Sequence, residues 1–98
     1  MSENRREENI SRKRAVALGY EVTRDSAPTI KAKGKGYVAE EIISRAKEHD
    51  IPIQEDKSLV ELLSQLEIHE KIPEDLYEVV AEVFAFIYRV DRDQMTKN

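Results

Sequence analysis

The chain has 98 residues, enough for one domain with a modest hydrophobic core and too few for a second. Sixteen Lys and Arg against 20 Asp and Glu leave a formal net charge of −4, and 40% hydrophobic with 37% charged residues is the balance of a folded chain rather than a disordered one. The lack of cysteine excludes a disulfide framework, thiol catalysis and Cys-ligated zinc or iron–sulfur sites. No apolar run approaches the length of a membrane span and MSENRREENI lacks the core of a signal peptide, so a cytoplasmic protein without membrane insertion is expected.

Charge is unevenly placed. Residues 1–36 carry nine basic and five acidic side chains and residues 37–98 carry seven and fifteen, giving a basic beginning and an acidic body. Residues 1–12 are polar apart from Ile10 and read as a flexible leader. In Arg14–Val22, Val16, Leu18 and Tyr20 alternate, which predicts a strand with one buried face and the small Ala15 and Ala17 on the other. Thr23–Ala27 is a turn cluster, and Pro28–Lys33 a second strand that completes a hairpin.

Gly34 and Gly36 punctuate the chain before a helix over Tyr37–His49, whose Val38, Ala39, Ile42, Ile43 and Ala46 recur at helical spacing. Glu40 and Glu41 favour its N-terminus. Ile51-Pro52-Ile53 predicts a brief third strand, at an edge because Pro52 has no N–H, with a right-handed crossover if it runs parallel to the second. A second helix is expected over Ser58–Leu66, with Ser58 and Glu61 as a capping box and Leu59, Leu62, Leu63 and Leu66 as its inner stripe. Pro73 opens the last helix as a first-turn proline. That helix runs to about Val90, with Glu74, Glu78, Glu82 and Arg89 as a narrow polar stripe, so it is expected at the centre of the fold, the other use of such a surface being a partner. Residues 91–98 form a frayed tail. The expected fold is α/β, a small mixed sheet of about three strands packed with three helices, in a single domain over residues 13–90.

Chemistry is sparse. His49 and His69 form no HExxH-type pair and read as solvated surface residues, so no metal site is expected. None of the serines lies in a nucleophile elbow, and the paired carboxylates sit on solvated helix faces, so no catalytic or cofactor-binding residues and no enzyme are expected. Lys31, Lys33 and Lys35 in KAKGKG do not have phosphate-loop spacing and read as strand-end lysines facing water. Arg5, Arg6, Arg12, Lys13 and Arg14 form a basic arm. With KAKGKG it supports an alternative function, a nucleic-acid or anion-binding accessory protein, against which stand the acidic body, the lack of Trp and the lack of any recognised motif.

Taken in order, Ala15-Val16-Ala17-Leu18, Tyr20, Ala27-Pro28, Lys33-Gly34, the helical set Ala39, Ile42 and Ala46, Ile51-Pro52-Ile53, Leu59 and Leu62, Ile72-Pro73, Leu76-Tyr77 and Val80-Ala81-Glu82-Val83 carry a resemblance. The span from Ala15 to Tyr88 resembles the cytoplasmic C-terminal domain of the FlhB family, which includes the YscU-type switch proteins of injectisome type III secretion. The resemblance implies a small α/β domain serving flagellar or type III protein export. Members of that family carry an Asn-Pro-Thr-His motif, at which they cleave their own backbone, one residue before the Ala-Val-Ala-Leu strand. Here those positions hold Ile10, Ser11, Arg12 and Lys13, so self-cleavage is not expected. Glu61 also departs, standing where the family often has Arg. The membrane part and the strand before the motif are expected to be missing, as if the chain were the fragment that cleavage releases.

The functional expectation is a non-enzymatic binding module, compatible with a monomer, that docks on an FlhB-type membrane component of the export apparatus or handles export substrates. In the family the segment before the cleavage site pairs with the segment after it, so the strand at Arg14–Val22 is expected to expose an edge. Candidate partner-binding residues are Arg12, Lys13, Arg14, Val16 and Leu18 on that edge, with the basic three guarding it or steering an acidic partner, and Tyr77 and Tyr88 on the last helix.

Overall fold

Alternation in the sequence becomes a two-faced hairpin. Strand β1 (Arg14–Gly19) pairs antiparallel with strand β2 (Thr29–Lys35), setting Arg14 opposite Lys35, Val16 opposite Lys33 and Leu18 opposite Ile30. The register shifts between Ala17 and Leu18, leaving Lys31 as the extra residue of a bulge. This computed structural model describes the backbone of residues 12–21 and 23–96 and the side chains as far as Ile87.

Strand alternation sends Val16, Leu18, Ile30 and Lys33 to one face and Ala15, Ala17, Ala32 and Gly34 to the other. The large side chains build the core. Ile30, Leu59, Leu63, Ile72 and Val80 are buried together, with Val16, Leu18, Leu66, Leu76, Val79, Val83 and Phe84 packed around them. Helix α2 (Lys57–Leu63) and helix α3 (Tyr77–Thr96) contribute half of these. The small residues let helix α1 (Tyr37–Glu48) pack against both strands. At Gly34 a Cβ would stand 2.2 Å from Val38 Cγ1, so only glycine admits the first turn of the helix there. Gly36 starts α1 at φ 63°, a left-handed conformation that suits glycine, and its N–H donates to the Lys13 carbonyl at 2.9 Å.

The third strand is not where the composition puts it. Ile51-Pro52-Ile53 pairs with no described strand, the Ile51 N–H instead donating to the Ala46 carbonyl at the end of α1 (2.8 Å), and both isoleucines are exposed. Pro52 offers no donor and neither isoleucine reaches a buried face, so nothing rewards pairing. The strand-like partner lies instead at His69–Ile72, and it runs antiparallel, which removes the crossover. The Ile30 N–H donates to the Glu70 carbonyl (2.9 Å), the His69 N–H to the Ile30 carbonyl (2.7 Å) and the Ile72 N–H to the Pro28 carbonyl (2.9 Å), with a bridge between Thr29 and Lys71. Among the described residues the sheet is thus two strands and a bridge, with three helices, and the α/β class stands.

Other local expectations shift. Asp56, not Ser58, caps α2: its carboxylate accepts from the Leu59 N–H at 3.0 Å, and Ser58 sits inside the helix. Because α2 has only seven residues, Leu59 and Leu63 fill its inner face and Leu62 points out, 49% exposed. Pro73 precedes a 3-10 turn (Glu74–Leu76) rather than entering the helix, and α3 continues past Val90 to Thr96. Val80 is buried while Glu74, Glu78 and Glu82 face solvent, so α3 does lie against the core, but Tyr77 and Phe86 stay exposed. Among the described residues no helix is long and apolar enough to cross a membrane.

Candidate partner-binding surfaces

Two surfaces could receive another protein. The first is the outer edge of β1. Among the described residues no strand lies beside it, and no backbone group of Arg14–Gly19 bonds outside the hairpin. An edge of that kind presents free amides and carbonyls to an incoming strand. Val16 and Leu18 send their side chains to the core, so what they offer a partner is backbone. Arg12 and Arg14 are exposed beside this edge, with Lys35 exposed opposite Arg14. Lys13 is not free to guard the edge: its ammonium pairs with Glu40 at 3.1 Å and its carbonyl accepts the Gly36 N–H, tying the start of β1 to α1. Ile10 and Ser11 lie outside the described residues, as do Arg5 and Arg6.

The second surface is a cleft of about 170 Å³ between the start of α3 and the β1–β2 connection. Ala27, Ile72 and Val80 form its buried floor, and Tyr20, Tyr77 and Phe84 rise around it. Tyr20 follows β1, and its ring stacks on Phe84 with centroids 6.2 Å apart and planes 8° from parallel. This stack explains why Tyr20, in phase with Val16 and Leu18, is nonetheless 44% exposed: it walls the cleft rather than filling the core. The turn beneath is pinned locally, the Asp25 N–H donating to the Glu21 carbonyl (2.7 Å) and the Glu21 N–H to the Asp25 carboxylate (2.9 Å). Of the two tyrosines expected at an interface, Tyr77 lines this cleft; the side chain of Tyr88 lies outside the described residues. Sequence reading missed the cleft because its floor of Ala27, Ile72 and Val80 comes from three separate parts of the chain.

The remaining candidates resolve into structural roles. KAKGKG forms the end of β2 and, at Gly36, the start of α1; Lys31 and Lys35 face solvent, but Lys33 donates to the Ser64 carbonyl at 3.2 Å, closing the C-terminus of α2. His69 is exposed at φ 76°, a conformation few side chains adopt, and is held there by its N–H bond to Ile30. Among the described residues no group of three or more His, Asp or Glu is placed to hold a metal ion. With Lys13 paired to Glu40 and Lys33 to the Ser64 carbonyl, the described cations left exposed near the start of β1 are Arg12, Arg14 and Lys35.

The sequence profile of the FlhB HrpN YscU SpaS family matches residues 12–87. The chain is 51% identical over 85 residues to the protein YlqH of Bacillus subtilis, an alignment covering 87% of this chain and 91% of that one. It is 40% identical over 76 residues to the flagellar biosynthetic protein FlhB of the same organism, covering 76% of this chain but only 21% of FlhB. The crystal structure of a mutated EscU C-terminal domain superposes with a TM-score of 0.73 at 30% identity, over 78% of this chain and 92% of that domain.

Proposed function

The chain belongs to the FlhB HrpN YscU SpaS family, and on that premise we propose that it is a non-enzymatic protein-binding module of flagellar or type III protein export. The observation that carries this reading is the cleft: an open, mostly apolar surface with a buried floor and aromatic walls, of a size for one apolar side chain of an extended segment. Its occupant in this reading is a short apolar stretch of an unfolded export substrate, held by burial rather than by charge. Calorimetric titration of the intact chain with purified export substrates from its own organism tests it. Ala81 lines the cleft from the exposed side of α3, so Ala81→Glu places a charge in the cleft without entering the core. Binding at least about tenfold weaker in Ala81→Glu, with unchanged thermal stability, supports the reading. Equal binding of the two proteins overturns it.

The free edge of β1 favours a second contact, with an FlhB-type membrane component in trans. There the partner would be the soluble segment of that component truncated at the Asn of its cleavage motif. Saturable heat in a titration supports this docking, and no heat and no complex removes it.

A further inference from the structure

We propose that the open edge of β1 selects an extended acidic segment, seating an Asp or Glu of the partner over the Arg14–Lys35 pair. The inference rests on the edge-docking reading above and adds the chemistry of the occupant. Arg14 and Lys35 stand directly opposite each other in the ladder, on one face of the hairpin, and both are exposed. Like charges in directly opposed positions disfavour the pairing they sit in. Among the described residues neither has a carboxylate within 4.0 Å, whereas their neighbours are occupied, Lys13 with Glu40 and Lys33 with the Ser64 carbonyl. Exposed Arg12 adds a third positive charge at the same end. Positive charge is therefore concentrated at one end of a strand edge that no described strand pairs, in a chain whose net charge is negative.

A strand added beside β1 would lie about 4.8 Å away with its side chains in line with those of β1. Its residue beside Arg14 meets that guanidinium directly, with Lys35 one strand further in, and its residue two positions away meets Val16, at the margin of the core. The complementary pattern is an acidic residue, one residue of any kind, then an apolar one, in the order set by strand direction. A purely protective cluster would repel every incoming strand alike. A selective one ranks strands by the charge at that single position, and the ranking fades with salt.

The test uses three nine-residue peptides of alternating valine and threonine that differ at one valine-face position, carrying Glu, Gln or Lys. The intact chain is titrated with each while backbone amide signals of Arg14–Gly19 are followed by NMR. The expected result is a shift of these amides, with the Glu peptide bound about tenfold tighter than its Gln twin at low salt, the Lys peptide weakest, and the preference shrinking at high salt. In Arg14→Gln/Lys35→Gln the preference disappears while the Gln peptide binds as before. Equal binding of the Glu and Gln peptides overturns the acidic selection and leaves edge docking standing. No amide shift with any peptide overturns both. Shifts that appear with rising protein concentration alone make the occupant a second copy of the chain and overturn the proposal as well.

Discussion

The two edges of the hairpin are built from similar residues and finish differently. Along β2, the segment His69–Ile72 supplies three backbone hydrogen bonds to Pro28 and Ile30 and brings the buried Ile72 into the core, so the first part of that edge is closed by the chain itself. Along β1, with the same alternation and the same antiparallel register, no described backbone partner arrives and the arginines remain outside. An edge closes when the segment beside it can bury something. Ile72 gives the clasp that anchor, whereas Arg12 and Arg14 give β1 none.

The largest effect should come from removing the anchor. Ile72→Ala is expected to destabilise the chain by about 3 kcal/mol, read as a lower urea midpoint, because it empties a core site and loosens the clasp together. A loss under about 1 kcal/mol would mean that the backbone bonds close the edge without their anchor. Gly34→Ala tests the hairpin's small-residue face: its methyl meets Val38, and about 1–3 kcal/mol should be lost as α1 is pushed off the strand. Next comes His69→Val, which places a β-branched residue at φ 76° in the clasp and should cost about 1–2 kcal/mol, with His69→Gly near or above the parent in melting temperature. The smallest change belongs to the open edge. Lys35→Glu turns a like-charge pair into an opposite one and should raise stability by a few tenths of a kcal/mol up to about 1, an increment that added salt reduces. A large loss there would show that the open edge carries structural weight.

What could be read from the residues follows from what each signal measures. Period-two alternation in RAVALG and helical spacing from Tyr37 onward report a buried face, and both elements form where expected. Ile51-Pro52-Ile53 shows the converse, since its β-branched composition promises a strand although neither isoleucine reaches the core. Glu70-Lys71-Ile72 pairs through its backbone, which leaves almost no trace in side-chain chemistry. Ser58 and Asp56 both satisfy capping preferences, and the choice between them depends on a two-residue shift in helix start. Of the surfaces, the edge at Arg14 was expected from the family resemblance, and only its charge was legible in the residues themselves. The cleft was not, because it forms only when Ala27, Ile72 and Ala81 meet across the fold.

The distance along the chain between the clasp and its partner also orders assembly. Tyr20–Pro28 is all that must loop to form the hairpin, but joining Ile30 to His69 encloses about forty residues, a closure about 1.3 kcal/mol more costly in entropy. Closure entropy thus sets the hairpin ahead of the clasp, and a newly made chain passes through a stage with two bare edges in place of one. During that interval the Lys31, Lys33 and Lys35 of β2 are the residues that keep stray strands away, lysine being poorly tolerated at a shared edge. Once the fold completes, the middle one turns to a second duty and holds the end of α2.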